Sequence, residues 1–215
     1  MIAKASQDST LPLLGQKYDP LVPADGNMPP TGNTSRGVPY SRETSSPEYA
    51  SLIVRYRDWH ATHRPKQWQG RGLPFEKQFK KWVPEDAGWS VLDYGCGQGK
   101  YIQDQTWDIP GIATVTGYDP AVPLFAELPT GDFDVVVSKD VMEHLDPHDV
   151  SWVLDEIFQR ARIKVFLIIG TTPNGKPFSD GKNTNTAVFP PEWWREQLDI
   201  RAEETGVPYY ARLRT

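Results

Sequence analysis

The chain has 215 residues and a formal net charge of −5, from 23 Lys and Arg against 28 Asp and Glu. That length suits one domain with a full core, and that balance argues against a protein that coats nucleic acid by charge alone. No apolar run approaches a membrane span, the opening MIAKASQDSTLPLLGQKYDP lacks the long apolar centre of a secretion signal, and the single cysteine, Cys96, excludes an internal disulfide, so a soluble cytoplasmic protein with no membrane partner is expected.

Residues 1–45 are rich in Pro, Gly, Ser, Thr and Asn and show no helical or strand period, which predicts a flexible tail. A single domain is expected over 46–215, with a helical cover at 46–89 and a core at 90–215. The cover opens at Ser46-Pro47-Glu48, a capping serine followed by proline in the first turn, and carries Tyr49, Leu52, Ile53, Tyr56 and His60 on one face. A loop punctuated by Pro and Gly runs from His60 to Pro74, and a short helix bearing Phe75, Phe79 and Trp82 follows. Between Arg55 and Lys81 eight basic residues face two acidic ones, a local +6 within an acidic chain.

Strands are predicted at Ser90–Tyr94, Thr114–Asp119, Phe133–Ser138 and Val165–Gly170. A helix should follow Gly99, and a second, capped by Asp146 with Pro147 in its first turn, should carry Val150, Val153, Leu154, Ile157, Phe158 and Ala161. Such alternation, with nearly continuous apolar strands, describes a parallel sheet covered by helices on both faces. Gly170 to Phe189 reads as a long polar loop, and a last helix follows Pro190-Pro191 and stops near Gly206. The period of two in Val207, Tyr209, Ala211 and Leu213 marks a closing strand.

The most informative stretch is VLDYGCGQGK, Val91 to Lys100. Three glycines at alternate positions let a backbone approach a ligand that any Cβ would push away. Asp93 stands two residues before Gly95, where a pyrophosphate would meet a negative charge, which favours a cationic nucleoside; a tight strand-to-helix turn with no ligand is the alternative. The spacing Gly95, Gly97, Gly99 also departs from the dinucleotide pattern, whose third glycine falls one residue later. In TVTGYDP, Asp119 closes the next strand, where an acid can accept both hydroxyls of a ribose.

These residues resemble the first two motifs of class I S-adenosylmethionine-dependent methyltransferases, and FDVVVSKDVMEHL (Phe133–Leu145) resembles the fourth-strand motif of the same superfamily. The likeness spans roughly residues 48–214, and GYDPAVP, DVMEHL and FPPEWWREQL are similar to a group of compact, mostly uncharacterised methyltransferases of bacterial viruses and bacteria. It implies a Rossmann-like α/β sheet, S-adenosylmethionine as cofactor, and cofactor contacts from Asp93, Tyr94, Gly95, Cys96, Gly97, Gly99, Asp119, Pro120, Lys139 and Asp140. Cys96 is expected to act as a small packed residue and not a nucleophile. Only AVPLFAELPTGD separates Asp119 from Phe133, too short for the helix, strand and helix usual there, so a sheet narrowed on the second-strand side is expected.

Asp140, Glu143 and His144 fall just past the end of a central strand, the edge where open parallel sheets bind ligands. Three readings compete for them: a structural and cofactor-facing role, His144 as general base, or a metal held by all three. A fourth metal ligand is not evident, and no metal is assigned. The segment before the first strand is placed over the methyl group by the resemblance, making His60 a further catalytic candidate, with His63 beside it.

Tyr56, Trp59, Trp68, Phe75, Phe79 and Trp82 interleave with the basic residues and fit either base stacking or the packing of a cover helix. Asn174 lies in the loop after a strand, near the same edge, and the lack of an N-P-P-Y or D-P-P-Y run disfavours methylation of amino groups on DNA bases. The expected partner is a small-molecule or nucleotide-like acceptor, phosphate-bearing forms included. Methylation of RNA through the basic 55–81 segment and a cofactor-binding protein without catalysis are the alternatives, and the oligomeric state is undetermined.

Overall fold

The computed structural model describes residues 38–62, 72–174, 177–178 and 181–215. Among them β1 (Trp89–Tyr94), β2 (Ile112–Tyr118), β3 (Phe133–Lys139), β4 (Ala161–Gly170) and β5 (Tyr209–Arg214) form one sheet in the order β2-β1-β3-β4-β5. Every neighbouring pair is parallel. Helices α1 (Pro47–Thr62), α2 (Glu76–Trp82), α3 (Lys100–Gln103), α4 (Val150–Gln159) and α5 (Pro191–Thr205) connect and cover it. The direction of winding reverses between β1 and β3, which opens a crevice at the carboxyl ends of these strands.

Strand alternation supplies two cores. Val91, Val135, Val137 and Phe166 point to one face, where Phe75 and Phe79 of the α2 segment and Tyr101 of α3 meet them. Leu92, Val136, Val165 and Leu167 point to the other, against Val153 and Ile157 of α4 and Trp194 and Leu198 of α5. Each large side chain so buried contributes about 1.5–3 kcal/mol. This is the expected Rossmann-like architecture with helices on both faces, and among the described residues no helix is long and apolar enough to cross a membrane.

The narrowing is present as well. Between Asp119 and Phe133 the chain forms only a 3-10 turn, Pro123–Phe125, leaving β2 as the outer strand. On the α4 face beside it lies the segment before α1, with its Tyr40 and, from the first turn of α1, Tyr49 packed on the core. Residues 38–45 of the expected tail are therefore held against the domain, while 1–37 lie outside the described residues.

The expected helix after Gly99 is present as the four-residue α3, which ends before Gln105, at φ +49°, turns the backbone away. The helix expected from Asp146 needs correction. α4 begins at Val150 and not at Asp146: the Asp146 carboxylate accepts from the backbone N–H of His148 at 3.0 Å within a preceding turn, so the helix starts a turn later. Ala161, assigned to that helix from its periodicity, opens β4.

Candidate active site

The crevice has two halves. The first is built by the turn after β1, where Gly95, Gly97 and Gly99 have φ of +86°, +59° and +51°, a left-handed run that side chains with a Cβ resist. The backbone N–H groups of Gly95 and Cys96 both donate to the carbonyl of Tyr118, at 2.7 and 3.1 Å, tying the turn to the end of β2. One residue on, Asp119 accepts from Gly97 N–H at 2.9 Å and Ala121 N–H at 3.0 Å, one on each oxygen. A carboxylate offers about four lone-pair positions, so each oxygen keeps capacity for a ligand hydroxyl.

His60, near the end of α1, lies within electrostatic range of this acid. Burial lowers the imidazole's pKa while the charge of Asp119 raises it; burial raises Asp119, and His60 opposes that rise. Gln98 Nε2 donates to the His60 carbonyl at 3.5 Å, and among the described residues the buried His60 Nδ1 has no hydrogen-bond partner. A buried polar ring atom without a protein partner is the kind of group a bound ligand or water satisfies.

The remaining residues of the turn face elsewhere. Asp93 is buried and accepts from the Tyr101 hydroxyl at 2.7 Å, and burial, reinforced by Asp119 and opposed by Tyr101 and Lys139, pushes it up to about 7. Cys96 is buried, its thiol driven far above the usual range by burial and then by Asp93 and Asp119, so it is no nucleophile at neutral pH. Its sulfur fills the space above Gly117, where an added Cβ would come within 2.8 Å. The Tyr94 side chain packs into the α4 face, leaving only its backbone at the crevice; Pro120 is half-buried and Lys139 exposed.

The second half follows β3. Asp140 holds φ +57°, uncommon for a residue other than glycine, and its carboxylate pairs with Arg214 at the end of β5. Glu143 is 2 % exposed; its Oε1 accepts from Gly170 N–H at 2.9 Å and lies 3.8 Å from Arg214 Nη2. Burial raises its carboxyl to about 7, with Asp140 adding to the rise and the backbone donors and Arg214 opposing it. Among the described residues its Oε2 has no hydrogen-bond partner.

His144 Nδ1 lies 2.9 Å from the Thr184 carbonyl. A carbonyl only accepts, so Nδ1 carries the hydrogen and Nε2 is the basic nitrogen of the neutral ring. The Tyr56 hydroxyl donates to the same carbonyl at 2.7 Å, and its ring stands edge-on to His144 at 5.5 Å. Asn174 Nδ2 donates to Thr184 Oγ1 and Asn185 Oδ1 at 2.7 and 2.6 Å, fixing the loop that presents this carbonyl.

Asp140 and Glu143 thus share Arg214 while His144 turns to the Thr184 carbonyl, and among the described residues no three metal-ligating side chains converge. Of the aromatic candidates, Phe75 and Phe79 are core, while Tyr56 and Trp59 pack on Phe178 with ring centroids 5.1 and 6.0 Å away. Trp82 is 38 % exposed, with Lys164 Nζ 4.9 Å from its ring centre. His63, Trp68, Arg64, Lys66 and Arg71 lie outside the described residues. Sequence reasoning missed Arg214, whose signal was available: β5 alternation runs to the same sheet edge as Gly170. It also missed Tyr101 and Arg42, for which no pattern in the chain gave notice.

Residues 47–204 match the family described as a methyltransferase domain, and the chain belongs to that family of S-adenosylmethionine-dependent enzymes. Among solved structures, it is similar to a chain of the complex between the Haloferax volcanii Trm112 methyltransferase activator and the protein described with it as a methyltransferase. That likeness has 23 % identity and a TM-score of 0.35, and it covers 50 % of this chain and 56 % of the other, so this chain spans little more than half of its neighbour's length. Among curated proteins none matches.

Proposed function

We propose that the chain binds S-adenosylmethionine at the Gly95–Gly99 turn and transfers its methyl group to a small or phosphate-bearing acceptor at the edge beyond β3 and β4. The observation that carries this reading is the bond from Gly97 N–H to Asp119, which sets the glycine turn and the acid on one crevice. The glycines admit the nucleoside, and Asp119 has acceptor capacity for the ribose hydroxyls while His60 covers them from α1. Of the other expected contacts, Asp93 supports the turn from beneath through its tie to Tyr101, and Lys139, Asp140 and Pro120 border the crevice.

Bound S-adenosylmethionine supplies an already activated methyl group, so the protein's task is to hold the acceptor in line and dry. His144 is placed to take the acceptor's proton at Nε2, its tautomer fixed by the Thr184 carbonyl. Lys139 stands exposed at this edge, with Arg214 held there in its pair with Asp140, and the lysine's charge supports a phosphate-bearing acceptor.

Calorimetry with S-adenosylmethionine and with NAD tests the donor, and binding of NAD alone would end the reading. Transfer of labelled methyl groups to nucleotides, and to RNA over a range of salt, tests the acceptor. Incorporation into RNA that falls steeply with salt would replace the small acceptor by a nucleic acid.

A further inference from the structure

The underside of the cofactor turn is held by a residue that precedes the domain's first helix. Arg42 donates from Nε and Nη2 to the two oxygens of Glu156 on α4, at 2.7 and 2.5 Å. Its Nη1 donates to the Tyr118 hydroxyl at 2.7 Å and Nη2 also to the Tyr94 hydroxyl at 3.3 Å. The guanidinium lies 5.2 Å from the ring centre of Tyr118 and 5.6 Å from that of Trp152. Tyr94 in turn donates to Glu156 at 2.8 Å, and the two tyrosine rings meet edge-on at 4.9 Å.

The position of these tyrosines matters more than their number of bonds. Tyr94 is the last residue of β1 and leads directly into Gly95; Tyr118 is the last residue of β2 and leads directly into Asp119. The Tyr118 carbonyl is also the acceptor for Gly95 and Cys96. Arg42 therefore grips, from the α4 face, the two residues whose backbones shape the turn and place the acid on the opposite side. Among the described residues β2 is the last strand on this side, so the grip on Tyr118 lies at that edge of the sheet.

The strap carrying Arg42 is itself anchored. Ser46 donates from its backbone N–H to Asp149 Oδ1 at 3.0 Å and from its hydroxyl to Asp149 Oδ2, and Trp152 Nε1 donates to the same buried carboxylate at 2.7 Å. A planar guanidinium with five donors can satisfy Glu156 and both phenols at once, which a lysine cannot.

We propose that Arg42 is a positioning residue for the cofactor turn: by clamping Tyr94 and Tyr118 to Glu156 it holds Gly95–Gly99 and Asp119 in the geometry that binds the methyl donor. The second half of this statement rests on the function proposed above, while the first concerns the turn alone. Residues 38–46 are thereby part of what supports the donor site.

The test uses the full chain with Arg42→Met, Arg42→Lys and the milder Tyr118→Phe, against Ser46→Ala as a change to the strap that leaves both phenols in place. Amide hydrogen exchange is the first readout, scaled by each variant's global stability. Exchange of Gly95 and Cys96 should rise about tenfold in Arg42→Met and Tyr118→Phe, relative to the amides of β3 and β4, and lysine should not restore it. Ser46→Ala, which removes one of the strap's two bonds to Asp149 and keeps Arg42 and both phenols, should raise that ratio by less than Arg42→Met does. Affinity for S-adenosylmethionine should fall about ten- to hundredfold in Arg42→Met. Uniform loss of protection across the sheet, or none at the turn, overturns the proposal and leaves Arg42 a structural residue. If the wild-type chain fails to bind S-adenosylmethionine, the donor reading fails, and the exchange ratio still decides whether Arg42 orders the turn.

Discussion

The two halves of the crevice, proposed above for donor and acceptor, are built by different means. After β1 the shape is made by backbone: three left-handed glycines, two amides on one carbonyl, and an acid fixed by two further amides. After β3 it is made by side chains drawn from distant parts of the chain, with Arg214 on Asp140 and the Thr184 carbonyl on His144. A site made of backbone tolerates almost no change in residue type but any change in what lies beyond it. A site made of side chains can be retuned one partner at a time, which suits the half proposed to take the acceptor.

The sharpest way to break this contrast is Gly95→Ala. A Cβ there would lie 2.2 Å from Val141 Cγ2 at φ +86°, so the turn must move or Val141 must. We expect a loss of about 2–4 kcal/mol in stability and no detectable donor binding, measured by denaturant unfolding and calorimetry. An alanine variant of wild-type stability and affinity would show that the turn is not backbone-limited.

In the acceptor half, His144→Ala should leave donor affinity within about twofold and slow transfer by about 10²- to 10⁴-fold, the contribution of a general base. Unaltered turnover in a labelled-methyl assay would remove His144 from proton transfer and leave positioning as the source of rate.

A smaller effect separates the halves by pH. Glu143 in one and Asp93 in the other are each pushed up to about 7, so the folded chain keeps protons that the unfolded chain releases near its ordinary carboxyl range. Their contribution to stability is therefore full at low pH and is lost as pH rises through about 7. Glu143→Gln and Asp93→Asn should each flatten that decline, read as urea midpoints at about pH 5 and about pH 8. A decline unchanged in both variants would show that neither carboxyl holds its proton on folding.

The smallest expected effect is at Arg214. Its pair with Asp140 is partly exposed, at 44 % and 27 % of the side chains, so Arg214→Ala should cost about 0–1 kcal/mol of stability. An effect well above that, in thermal or urea unfolding, would mean that the side-chain half is as tightly built as the backbone half.

The same contrast explains what the sequence made legible. Glycines two apart and acids at strand ends are short-range marks of a backbone requirement, and so the turn, Asp119 and the narrowed sheet could be read from one line of residues. Arg214 meets Asp140 across 74 positions and Thr184 meets His144 across 40, contacts set by β5 register and by a polar loop with no period of its own. The start of α4 was misread for a related reason. Asp146-Pro147 has the composition of a helix entry, but Asp149 is the acid that Ser46 and Trp152 bury, and the helix begins behind it. Arg42 sits in a stretch whose composition resembles a disordered tail, and only its four partners reveal its place.

The measurement that bears most directly on the central claim is the affinity of Asp119→Ala for S-adenosylmethionine, set beside that of the unmodified chain at matched stability. Loss of a charge-assisted bond to the ribose predicts binding weaker by about 1.5–3 kcal/mol, or roughly ten- to hundredfold. Equal affinity in the two proteins would contradict the assignment of the crevice between Gly97 and Asp119 as the donor site.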